Sequence, residues 1–196
     1  MNIRTGAIIL LHLIATNTNA DEAQNRASLN AAITGIQQQQ NADGSWGADK
    51  NLQYVTTSSA VDALKASNTY SAEYYAGIAW LENHNANNVD FLSRKITSLF
   101  DHGNNLTSYL NNLQSAKRDT NQEGWGLSKN YFSSPIDTAL ALKALIKTNN
   151  STSQAAAISY LLNSQLTNGS WSSNNSTSSD YWVTAIVHSV LTDIPF

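Results

Sequence analysis

A chain of 196 residues is long enough for one domain with a sizeable core. Hydrophobic residues make up 41%, charged residues only 13%, and the formal net charge is -3. Solubility therefore rests on uncharged Asn, Ser, Thr and Gln, and no basic patch points to nucleic acid or an anionic membrane as partner. The absence of cysteine removes disulfides, thiolate nucleophiles and Cys-ligated zinc.

The chain opens in the pattern of a secretory leader. Arg4 is the positive n-region, Ala7 to Ile14 is a short apolar stretch interrupted by His12, and Thr18-Asn19-Ala20 supplies small residues before Asp21-Glu22. The apolar stretch is too short to span a bilayer comfortably. The expectation is a signal peptide over 1–20, a mature chain over 21–196 without a stable membrane span, and a secreted or periplasmic location. Asn-X-Ser/Thr sequons, among them Asn105, Asn150, Asn168 and Asn175, read as polar loop chemistry in an Asn- and Ser-rich chain.

Apolar spacing then predicts helices in chain order, about 22–39, 54–67, 71–84, 89–101, 105–116, 134–148, 153–166 and 180–192. Some carry one apolar stripe, as in Leu29, Ala32, Ile33 and Ile36, or Leu106, Tyr109, Leu110 and Leu113, or Ile158, Leu161 and Leu162. Such helices are wet on the other face. Ile136 to Ile146 is apolar or small at nearly every position, as suits an inner helix covered on most sides. Gly, Asn, Asp and Ser between the segments form turns and caps. With only Pro135 and Pro195 in the chain, long helices run uninterrupted. The fold class is all-α, in about four helical hairpins. The last helix, apolar at Val183, Ile186, Val187, Val190 and Leu191, predicts an apolar edge that needs a cover.

Three segments share one grammar. Gln40, Gly44 and Trp46 fall at the same spacing as Gln165, Gly169 and Trp171, and Gln114, Gly124 and Trp125 form a copy with a longer loop. Thirteen residues after Trp46, Trp125 and Trp171 come Ser59-Ala60-Val61, Thr138-Ala139-Leu140 and Thr184-Ala185-Ile186. Residues 71–103 read as a degenerate unit without the Gly-Trp pair.

This Gln-x-x-x-Gly-x-Trp element, followed by Asp137-Thr138-Ala139-Leu140-Ala141-Leu142, resembles the repeat of squalene-hopene and oxidosqualene cyclases, within the terpenoid cyclase and protein prenyltransferase superfamily. The resemblance implies a partial α/α toroid over 21–196. It also implies that each Gln ties one hairpin to the start of a neighbouring helix while stacking on its Trp, which makes these residues structural. Four hairpins form an arc, which self-association or further repeats would close.

The same resemblance tests for chemistry. The cyclase motif Asp-x-Asp-Asp-Thr-Ala aligns with Ser134-Pro135-Ile136-Asp137-Thr138-Ala139. Ile136 stands where the proton donor belongs, so Asp137, the one weak catalytic candidate, reads as a helix cap. The Cys-containing zinc set of prenyltransferases has no counterpart. His84, His102 and His188 are scattered and read as caps or packing residues, and Lys143 and Lys147, one turn apart, as a solvated stripe. The expected function is a secreted, non-catalytic repeat module, without metal or cofactor, that binds a small apolar ligand or a protein. The alternative is a terpenoid cyclase or a fragment of one.

Overall fold

The computed structural model describes residues 3–118, 124–173 and 176–194, without the side chains of residues 3–20, 101 and 152. The leader expected at 1–20 is therefore described only as backbone from Ile3, and Met1, Asn2, the sequon Asn175 and Pro195 lie outside the described residues. Among those residues the fold is all-helical: α1 (Ile3–Gln38), α2 (Gln53–Ala66), α3 (Ala72–Asn83), α4 (Val89–Leu99), α5 (Thr107–Ser115), α6 (Pro135–Lys147), α7 (Ser151–Asn163) and α8 (Tyr181–Thr192). A turn of 3-10 helix, Phe100–His102, extends α4. None of these helices is long and apolar enough to cross a membrane.

Side-chain caps start the helices where the sequence offers them. Ser71 Oγ accepts from Tyr74 N–H, Asn88 Oδ1 from Phe91 N–H, Ser134 Oγ from Asp137 N–H, and Asp180 from the N–H groups of Trp182 and Val183. Pro135 adds a pre-set φ to the first turn of α6. The turns that follow α2, α4 and α6 each contain a residue in the left-handed region: Asn68 (φ 54°), Gly103 (φ 68°) and Asn149 (φ 55°). After α2 and α6 the next N–H groups bond back into the last turn, Thr69 to Leu64 O (2.8 Å) and Asn150 to Leu145 O (2.9 Å), so the chain stops and reverses within a short turn.

The packing order follows from these short reversals. Helices α2, α4, α6 and α8 touch in succession and form one layer. On its other side α3 packs on α2 and α4, α5 on α4, and α7 on α6. The sequence pairs each outer helix with the inner helix that follows it. In the structure α5 and α7 make their main contacts with the inner helix before them, because that connection is a tight turn and the next one is a long loop. Buried Val61 and Leu64 on α2, Ile96 and Leu99 on α4, Leu142 and Leu145 on α6, and Val183, Val187 and Val190 on α8 carry the core.

The stripe expected on α1 is only partly covered. Ile33 and Ile36 are half-buried, whereas Ala32 and Leu29 are exposed, since α2 is the main helix packed on this one. On α8 the expected apolar row turns inward, and the exposed apolar residues at that end are Leu162, Tyr181 and Trp182.

Candidate functional site

The three tryptophans of the repeat share one geometry. Trp46, Trp125 and Trp171 are buried, at 5%, 0% and 4% exposure, and each indole N–H donates to a carbonyl near the end of an outer helix. The acceptors are Ile36 O (2.6 Å), Leu113 O (2.7 Å) and Leu161 O (2.7 Å). Each tryptophan main-chain N–H donates to a threonine hydroxyl in the first turns of the next inner helix: Thr57 Oγ1 (3.0 Å), Thr138 Oγ1 (2.9 Å) and Thr184 Oγ1 (2.9 Å). One residue thus joins a carbonyl at the C-terminal end of an outer helix to the start of an inner helix.

The backbone register differs from the sequence spacing in two places. In the first copy the residue that receives the tryptophan N–H is Thr57, eleven residues on, not Ser59, because the loop before α2 is three residues shorter and the threonine stands one position further into the helix. In the middle copy the hairpin bond Arg118 N to Gly124 O matches Asn41 N to Ser45 O and Leu166 N to Ser170 O. Lys117 therefore occupies the place of Gln40 and Gln165, and Gly124 the place of Ser45 and Ser170. Gly44 (φ 88°) and Gly169 (φ 84°) sit in the left-handed region, a role Gly124 does not share.

The glutamines bond through the amide nitrogen. Gln40 Nε2 donates to Gly44 O (2.9 Å) and to Glu73 O in the first turn of α3 (2.8 Å). Gln165 Nε2 donates to Gly169 O (2.9 Å). Gln114 Nε2 donates to Ser153 Oγ in the first turn of α7, as Gln37 Nε2 does to Glu73 Oε2 (3.1 Å).

The degenerate unit α3–α4 replaces the indole with an ammonium. Lys95, 3% exposed on α4, donates to Glu82 O and His84 O at the end of α3, both at 3.0 Å, and lies 4.4 Å from the Tyr109 ring centroid. Sequence reasoning missed this residue, which stands beside Arg94 in an amphipathic helix and looks like a solvated charge.

Asp137 sits half-buried in the first turn of α6. Ser134 Oγ–H donates to its carboxylate (2.6 Å), and Asp137 N–H donates back to Ser134 Oγ (3.1 Å). Burial pushes its carboxyl above the usual range; the Ser134 bond works against this and the Asp90 carboxylate adds to it. The histidines separate. His84 caps α3 through Nδ1 on Trp80 O (2.8 Å), His102 Nε2 is hydrogen-bonded to Tyr74 Oη, and His188 is exposed. Among the described residues no group of three or more His, Asp or Glu could hold a metal ion.

The cavities lined by described residues include two. One of about 720 Å³ is lined by Ala32, Gly35, Ile36, Trp46, Thr56 and Ala60, with other residues of the Trp46 loop, between α1 and α2. The other, about 320 Å³, is lined by Thr97, Lys143, Ile146, Lys147 and Asp193. There Lys147 Nζ lies 5.4 Å from the Phe100 ring centroid and next to a helix C-terminus, whose partial negative charge accounts for the lysine.

No family model matches the chain, and no curated protein matches it.

Proposed function

We propose that the chain is a non-catalytic helical-repeat module, a partial α/α toroid of four hairpins, that acts after export by binding a protein or an apolar ligand. The observation that carries this reading is the use made of the repeat residues. All three indoles are buried and direct their N–H groups to the chain's own carbonyls, so the motif ties helices together and leaves nothing for a substrate. At the place where a cyclase acid would stand, half-buried Ile136 has no proton to give. Incubation of the protein with squalene or geranylgeranyl diphosphate is expected to give no cyclised or transferred product.

One observation favours the cyclase alternative. Asp137 combines burial, a raised pKa and a neighbouring carboxylate, which are the properties of a tuned acid. Its hydrogen bonds to Ser134 are those of a helix cap, and they weigh for the structural role. Turnover in the incubation above that Asp137→Asn abolishes would reverse the assignment.

A further inference from the structure

The internal repeat shows which faces of this chain are covered in one copy and bare in another. Counted from the threonine that receives the tryptophan N–H, each inner helix carries a row at three residues before, one after and four after. On α2 the row is Tyr54, Ser58 and Val61, and on α6 it is Pro135, Ala139 and Leu142, all buried. On α8 the same row is Tyr181, Ala185 and His188, and all three are exposed, Tyr181 at 81%.

The next two helices cover the α2 row. Tyr54 stacks on Phe91 of α4, with ring centroids 4.8 Å apart and planes at 6°, and meets Trp80 of α3 edge-on at 5.5 Å. Val61 and Trp46 pack so closely on Gly77 of α3 that a Cβ there would come within 2.7 Å of each. The Trp loops agree. A Cβ on Gly44 would lie 2.7 Å from Ala76 O of α3, whereas a Cβ on Gly169 meets nothing within 4 Å. Gln40 reaches beyond its own loop to α3, and its counterpart Gln165 bonds only within its loop among the described residues.

The opposite end of the chain holds the other half of this interface. The 720 Å³ cavity between α1 and α2 corresponds to the groove between α5 and α6, which α4 fills by packing on both. Half-buried Ala60 of this groove is the counterpart of fully buried Ala141, and a Cβ on Gly35 would meet nothing within 4 Å.

We propose that α8 of one copy docks in the α1–α2 groove of a second copy, head to tail, and so repeats between molecules the contact that α4 makes with α5 and α6 within one. The occupant is a second copy because the chain carries both uncovered halves of an interface that it already forms internally. The contact is heterologous, so copies can add in a ring or a row. The proposal rests on the repeat reading above and names the partner of its two ends.

Sedimentation equilibrium on the full chain tests it. The mass is expected to rise with concentration above that of one chain. Ala185→Arg and Ala32→Arg each place a long cation on one exposed face, and each variant alone is expected to remain a monomer with unchanged helical circular dichroism. Mixed, they are expected to form a one-to-one pair and nothing larger, since each keeps the face the other lacks. His188→Leu, which restores the aliphatic residue found at Val61 and Leu142, is expected to shift association to lower concentration. A monomer at every concentration, association that survives both arginines, or an arginine variant that pairs with itself would overturn the proposal. None of these results touches the repeat reading, which fails separately if the buried tryptophans prove dispensable for stability.

Discussion

Trp125→Ala removes the best-buried of the three indoles. The side chain is 0% exposed and its Nε1–H lies 2.7 Å from Leu113 O. Truncating a core Trp to Ala costs about 3–5 kcal/mol. The stranded carbonyl adds little, because Ala116 N–H still reaches Leu113 O at 3.2 Å. Against a total stability of about 5–15 kcal/mol, this is a large loss. At about 2–4 °C per kcal/mol for a chain of this size, the midpoint should fall by roughly 6–20 °C. Urea titration followed by far-ultraviolet circular dichroism suits the measurement, since removal of a tryptophan alters fluorescence directly. Trp182→Ala is the control: at 63% exposure it should change stability by no more than about 0.5 kcal/mol. If Trp125→Ala costs under about 1 kcal/mol, or no more than Trp182→Ala, the indole is not a tie and the argument from its burial is wrong.

Lys95→Met keeps the apolar stem but withdraws the donor from Glu82 O and His84 O; a urea midpoint showing a loss of about 1–3 kcal/mol is expected, and an unchanged midpoint would mean those carbonyls need no partner. Asn149 holds φ 55°, so Asn149→Val should cost about 1–2 kcal/mol and Asn149→Gly should cost little, as thermal melts can show. Asp137 has a raised folded-state pKa, first through burial. The folded chain therefore holds this proton more tightly than the unfolded chain, and stability attributable to Asp137 rises as pH falls from neutral through that raised pKa. Melts of the native chain and of Asp137→Asn across this range should show the native chain gaining on the variant toward acid; a constant difference would contradict the raised pKa.

Most helices were readable from apolar spacing, and seven of the eight lie within about three residues of their expected ends. The first departs because the chain is helical from Ile3. Apolar spacing records which residues turn inward, but it does not record whether another helix stands opposite them. Leu29 and Leu162 fit their stripes as well as Leu113 does, yet they are 53% and 56% exposed while Leu113 is 0%. Loop length misled the reading in a different way. Offsets counted from Trp46 land on Ser59, where a shorter loop puts Thr57 instead, and the hydrogen bond from Trp46 N–H shows the true register. Gln114 was legible as a residue that reaches the next outer helix, but its partner in role is Gln37, not Gln40. Lys95 was illegible because an ammonium and an indole share one property, an N–H donor on a long apolar stem, that no sequence pattern encodes.

The uneven support of the helices has a consequence for how the molecule opens. Helix α4 is flanked by α2, α3, α5 and α6, while α1 rests mainly on α2. In a linear array held by neighbour contacts, local opening is cheapest where a unit has one neighbour and dearest where it has several. Amide hydrogens of α4 and α6 should therefore be the last to exchange with solvent, and those of α1 among the first. Opening would then spread inward from the α1 end in cooperative steps, so a protease acting on the native chain would cut near α1 while the centre stays protected.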